Sequence, residues 1–179
     1  MKEHVLNRAI LDTPYGKMVA IASGKGLAVL EFVKPNRQEM LKKHLNKWFP
    51  SCEIVDADDD IIKKTREWLI NYFSGEFDRL NAPPLDMRGT EFELKVWQAL
   101  QGIPLGQTIS YQQLADRVGK PKGARAIGSA NRKNPVSIIV PCHRVIGQNG
   151  LLVGYGGGLD VKQALITHET PRRGVLMTI

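Results

Sequence analysis

Seven consecutive residues, Val140-Pro141-Cys142-His143-Arg144-Val145-Ile146, concentrate the reactive chemistry of this chain. They set one cysteine directly beside a histidine and an arginine. They continue an apolar stretch, Val136-Ser137-Ile138-Ile139-Val140, that reads as a short buried strand ending at the cysteine. A cysteine is nucleophilic as its thiolate, and a basic or cationic neighbourhood lowers the thiol pKa. A free thiol titrates at about 8.5 and is only a few per cent ionised near neutrality, so an adjacent base matters. The plainer reading of such a cysteine is a small core residue. The rest of the chain decides between the two.

Composition removes several alternatives. The chain has 179 residues, of which 42% are hydrophobic, as in ordinary globular proteins. Its two cysteines, Cys52 and Cys142, make neither a disulfide framework nor a CxxC metal motif. The four histidines (His4, His44, His143, His168) are too scattered for a metal site, so neither metal nor cofactor is expected. A reducing, cytoplasmic setting fits this cysteine usage. Met1 to Arg8 lacks a signal-peptide apolar core, and no apolar run is long enough for a membrane span.

Charge is divided unevenly. Residues 1–86 hold 13 Lys+Arg and 13 Asp+Glu, whereas residues 87–179 hold 12 Lys+Arg and 5 Asp+Glu. The whole excess of +7 lies in the half that carries Cys142. This points to a polyanion-binding surface on that half, with solvated surface charge as the alternative.

The elements that must position the cysteine follow from turn and helix signals. Val5–Leu11, Met18–Ala22 and Leu27–Val33 read as an antiparallel meander, joined at Thr13-Pro14-Tyr15-Gly16 and Ser23-Gly24-Lys25-Gly26. Helices are predicted over Arg37–Trp48 and Asp59–Phe73. The second is capped by its acidic run, Asp58-Asp59-Asp60, and stopped at Gly75. Asn81-Ala82-Pro83-Pro84 breaks the pattern near the charge boundary. The domains are expected to span residues 1–85 and 86–179.

Two capping boxes open helices in the second half, Thr90-Glu91-Phe92-Glu93 and Ser110-Tyr111-Gln112-Gln113. The latter helix ends at Gly119. After Lys120-Pro121-Lys122 comes a helix of small residues, Gly123 to Asn131. A helix, a short glycine-containing turn and a second helix flanked by basic residues form a helix-turn-helix pattern. Gly123, Ala124, Ala126, Gly128, Ser129 and Ala130 would let the second helix approach a groove closely, with Arg125 its only long side chain in the first turns. Gly154-Tyr155-Gly156-Gly157-Gly158 is a glycine-rich loop without dinucleotide or P-loop spacing, suited to close backbone approach to a ligand. A last helix runs Asp160–Glu169.

Together these segments resemble the O6-alkylguanine-DNA alkyltransferase family, also called methylated-DNA–protein-cysteine methyltransferases. The resemblance rests on Pro141-Cys142-His143-Arg144, Asn134-Pro135-Val136, Ile109 to Ala115, Ala124-Arg125-Ala126, Gly154 to Leu159, and Lys162 to Glu169. It is strong over residues 87–170. Over residues 1–80 it is limited to strand order and the Thr13–Gly16 turn.

The resemblance implies an α/β (α+β) fold, with a ribonuclease-H-like first domain and a mostly helical second domain bearing the helix-turn-helix. It implies DNA repair by irreversible, single-turnover transfer of an alkyl group from O6-alkylguanine to Cys142, with O4-alkylthymine a second candidate lesion. His143 corresponds to the base that takes the thiol proton through water, and Glu169 to the group that orients it. Asn134 ties the turn around the site, and Tyr111 protonates the departing guanine. Arg125 fills the stack after the base rotates out. Lys122, Ala124, Ala126, Gly128, Ser129, Asn131 and Arg132 fall on the DNA face, in the minor groove. Tyr111, Val153, Gly154, Tyr155, Gly156 and Gly157 line the pocket.

Gly156 replaces a serine that some members carry, which removes one hydrogen bond to guanine. Some members hold a zinc in the first half; with Cys52 the only cysteine there, none is expected here. The partner is double-stranded DNA, met by a monomer, with clustering on DNA left open. Two other classes are weighed: a lesion-sensing DNA-binding module, which would need an unreactive Cys142, and a cysteine hydrolase, whose histidine usually lies far from its cysteine in sequence.

Overall fold

The computed structural model describes residues 5–170. Three strands, β1 (Val5–Thr13), β2 (Gly16–Ser23) and β3 (Gly26–Phe32), form the expected meander. Its first turn needs Gly16, whose φ of +115° lies outside the range of ordinary side chains. After α1 (Pro35–Trp48), a fourth strand, β4 (Glu53–Asp56), pairs parallel to β1, giving the order β3-β2-β1-β4. The sequence reading missed β4, a four-residue strand with only one partly buried side chain.

Each face of the sheet is covered. Leu41, Leu45 and Phe49, from α1 and its C-terminal end, pack on Leu6, Val19, Ile21 and Val29. On the other face α2 (Asp60–Phe73) inserts Ile62, Trp68, Leu69 and Tyr72 into a core that runs on into the second half of the chain. Asp59 caps α2 as its position suggested, accepting from the Ile62 N–H at 2.8 Å.

The second half consists of α3 (Glu91–Gln101), α4 (Tyr111–Arg117), α5 (Ala124–Arg132) and α6 (Leu159–Glu169), with a two-residue parallel ladder of β5 (Ile109–Ser110) and β6 (Val145–Ile146). Both capping boxes form. Trp97 of α3 is fully buried and its indole N–H donates to the Ala130 carbonyl at 2.9 Å, which locks α5 in place. Among the described residues no helix is long and apolar enough to cross a membrane.

The outer edge of β3 is covered by the end of the first half and by the start of the Cys142 segment of the second. Leu27 N–H donates to Pro84 O at 2.8 Å, Leu30 N–H to Pro135 O at 2.9 Å, and Ser137 N–H to Leu30 O at 2.7 Å. An edge strand with free backbone groups is thereby satisfied by the segment that leads to Cys142.

Candidate active site

The stretch from Val136 to Val140 is not the strand its apolar run suggested. It makes two isolated bridges, Leu30 to Val136 and Ser137 to Val140, and folds back at Ile138, whose φ is +72°. A β-branched residue rarely adopts that conformation, so the surrounding contacts must impose it. The fold-back delivers Cys142 into a single 3-10 turn, Cys142–Arg144, instead of a strand end.

Asn134 organises this turn. Its Nδ2 donates to Val140 O at 2.8 Å and reaches Cys142 Sγ at 3.2 Å, while its Oδ1 accepts from Val136 N–H at 3.0 Å. The expectation that basic neighbours lower the Cys142 pKa is not met. Burial pushes the thiol up, against weaker opposing pulls from Asn134, Arg37 and Lys162. Desolvation of the charged form outweighs the nearby cations.

Behind the turn, His143 is fully buried and its Nε2 lies 2.7 Å from Glu169 Oε1. Glu169 also accepts from Tyr72 Oη at 2.7 Å and from Arg144 Nε at 2.8 Å. Burial favours a neutral Glu169, yet the His143 and Arg144 hydrogen bonds hold its carboxyl well below the usual range. Burial lowers the His143 pKa, so the imidazole is neutral near pH 7. An ionised carboxylate can only accept, which puts the His143 proton on Nε2 and leaves Nδ1 as a free lone pair. Nδ1 is buried with no protein partner. Such a nitrogen is a base awaiting a proton.

A cavity of about 610 Å³ opens beside Cys142. Tyr111, Val153, Gly154, Tyr155 and Gly156 line it as expected. Gly157 does not; a Cβ there would meet the Phe32 ring at 2.9 Å, so its role is close packing on β3. The Tyr111 hydroxyl donates to Val153 O at 2.9 Å. Ala124, Gly128, Asn131 and Arg132 of α5 also line the cavity, with Asn131 buried and not presented on an outer face. Lys122, Arg125 and Ser129 are exposed on or just before α5, and Ala126 is half-buried. His143, Glu169 and Asn134 stand behind the cavity and do not line it.

Several residues of the site were not read from sequence. Asn36, Arg37 and Met40 of α1 form one wall. Tyr72 shares Glu169 with Arg144, which had been read only as a cation beside Cys142. Lys162 is fully buried and its Nζ donates to Val145 O at 2.6 Å and Val153 O at 2.9 Å. Burial lowers its pKa to about 8. A buried lysine without a carboxylate partner, two residues after Asp160, offered no periodic signal. Among the described residues no cluster of His, Cys, Asp or Glu could hold a metal.

The comparisons agree with this geometry. Residues 6–87 match the model for the ribonuclease-like domain of 6-O-methylguanine DNA methyltransferase, and residues 91–171 match its DNA-binding domain. The chain is 40% identical over 169 residues to a methylated-DNA–protein-cysteine methyltransferase of Mycobacterium tuberculosis, covering 94% of this chain and 95% of the relative. It is 38% identical over 167 residues to one of Methanosarcina acetivorans, covering 90% and 96%. The crystal structure of Mycobacterium tuberculosis OGT in complex with DNA superposes with a TM-score of 0.75 at 36% identity, covering 92% of each chain. With both halves matched and the Cys142 turn, the glycine loop and the paired helices α4 and α5 in one arrangement, the chain belongs to the 6-O-methylguanine DNA methyltransferase family.

Proposed function

We propose that this protein repairs DNA by moving an alkyl group from O6 of guanine onto its own Cys142. The observation that carries the reading is the Cys142 sulfur at the wall of a cavity, backed by the His143–Glu169 pair. The base must leave the stack to reach a sulfur this deeply set. His143 Nδ1 takes the thiol proton through a water, and Glu169 keeps the imidazole in the tautomer that can do so. The thiolate then attacks the alkyl carbon. A carbon–sulfur bond forms, the carbon–oxygen bond breaks, and its electron pair passes to guanine. Tyr111, released from Val153 O, donates the proton that neutralises the leaving base. The product is a thioether, which water does not cleave, so each molecule acts once. The displacement balances without a co-reactant.

Residues 86–179 carry this chemistry, and residues 1–85 back it. DNA is met by the small-residue face of α5 in the minor groove, with Arg125 entering the vacated stack. The protein is read as a monomer. A thiol acceptor requires a reducing compartment, and the cytoplasm supplies one.

Intact mass after mixing with an oligonucleotide bearing O6-methylguanine tests the reading. A methyl group replacing a thiol proton adds about 14 Da, and peptide mapping should place it on Cys142. No gain, with DNA still bound, would assign the protein to lesion sensing.

A further inference from the structure

Residues 31–37, from the end of β3 to the start of α1, grip the second half of the chain at four places. Lys34 Nζ donates to Gly157 O. Arg37 Nη1 donates to Arg132 O at 2.6 Å, at the end of α5, and Nη2 lies 3.4 Å from Asn134 O. Glu31, fully buried, pairs with Arg37 and accepts from Ser137 Oγ at 3.2 Å. Asn134 in turn holds the Cys142 sulfur. A continuous chain of contacts therefore runs from β3 through Glu31 and Arg37 to Asn134 and the thiol.

Replacing a buried ion pair with apolar residues is often neutral or stabilising, so such a pair is weak evidence for stability alone. Its location says more. Glu31 is the single charge in a strand whose every residue is buried, and it faces the fold-back at Ser137. That fold-back contains the unfavourable Ile138 conformation, which needs external support.

We propose that Glu31 and Arg37 are positioning residues for the alkyl acceptor, by which the first half of the chain fixes the Asn134–Cys142 turn at the cavity wall. The proposal rests on Cys142 being the acceptor. The pair acts on the thiol in two ways: it sets where the sulfur points, and it balances charge beside it. The other ionisable groups around the sulfur are Lys162 from α6, Tyr111 from α4, Tyr155 from the glycine loop and the neighbouring His143.

The test uses the full-length protein and two probes of Cys142, read by peptide mass so that Cys52 is separated. Iodoacetamide reports thiol ionisation and demands little orientation. O6-benzylguanine must be aligned with the sulfur. In Glu31→Gln the amide still accepts from Ser137, but the charge opposite Arg37 is gone. Its iodoacetamide midpoint should fall by about half a pH unit or more, because an unbalanced cation favours the thiolate. In Arg37→Met the midpoint should rise. In both, the O6-benzylguanine rate should drop about tenfold relative to the iodoacetamide rate, as misalignment predicts.

A folded Glu31→Gln protein with the parental midpoint and rate ratio would overturn the proposal. A lower ratio with no midpoint shift would overturn the charge role and leave the pair setting only where the sulfur points. If Arg37→Met fails to fold, Glu31→Gln decides alone. If the unsubstituted protein reacts with iodoacetamide but not O6-benzylguanine, the functional reading has failed, and the midpoint shifts alone still decide whether the pair governs the thiol.

Discussion

His143 Nε2 sits 2.7 Å from Glu169 Oε1, and both side chains are shut away from solvent. This one distance determines which imidazole nitrogen is available to the thiol. Were Glu169 protonated, it could donate to Nε2 and move the imidazole proton to the wrong side. Arg144 and Tyr72 prevent that by donating to the same carboxylate.

Glu169→Gln should therefore cost both activity and stability. Removing one partner of a buried pair leaves Arg144 uncompensated, at a cost of about 3–5 kcal/mol. The pH dependence is specific. The folded Glu169 pKa lies below the unfolded value of about 4.3, so its contribution is present above that pH and is lost as pH falls through the folded pKa. Denaturant titrations from neutral to acid pH should show the parental stability falling below about pH 4, with a flatter curve for the variant. Parallel curves would remove the ionised carboxylate from the argument.

Asn134→Ala tests the acceptor turn from inside. It strips partners from Val136 N–H, Val140 O and the sulfur. Val140 O keeps the Cys142 N–H at 2.8 Å, so one buried backbone group, the Val136 N–H, is left unpaired and a loss of about 1–3 kcal/mol is expected. At temperatures where the variant is folded, transfer from O6-methylguanine DNA should slow by about tenfold or more, because the sulfur loses the donor that favours its thiolate. Unchanged single-turnover rates would demote Asn134 to a purely structural tie.

The sequence was most legible where chemistry is local. The caps at Asp59, Thr90 and Ser110, the meander turns and the Cys142-His143 adjacency all depend on neighbours within a few residues. The site was least legible where it depends on distant contacts. Val136–Val140 has strand-forming residues, yet only its first bridge meets β3 and Ile138 turns the chain back. Glu31 and Arg37 belong to elements whose own patterns read as strand and helix, and nothing in those patterns names Ser137 or Asn134 as partners. A weak signal was present: a buried charge within an apolar strand must be paired, and Arg37 lies six residues on. Tyr72 lies on the buried face of the helix expected over Asp59–Phe73, while its hydroxyl serves Glu169.

Arg125→Ala separates extrusion of the base from chemistry. Arg125 is exposed and does not line the cavity, so its loss leaves the acceptor turn untouched. Filling a vacated stack offsets an unstacking cost of a few kcal/mol, so repair within duplex DNA should slow by about tenfold or more. Reaction with free O6-benzylguanine should stay within about twofold, since no base is extruded. Equal losses on both substrates would remove Arg125 from base flipping.

Salt dependence tests whether the basic half is the DNA face. Lys122, Arg125 and Arg132 lie exposed on and beside α5, and the first half of the chain has no net charge to contribute. Each phosphate neutralised adds about −0.9 to the slope of log K against log salt, so three contacts predict a slope near −3 for undamaged duplex. Lys122→Gln should weaken binding to every sequence alike and make the slope shallower by about one unit, as expected for a phosphate contact. A variant in the first half, such as Lys43→Gln on the exposed side of α1, should leave the slope unchanged. If the Lys43 variant changed the slope and the Lys122 variant did not, the DNA face would have to be moved off α5, and the small-residue helix would be a packing element instead.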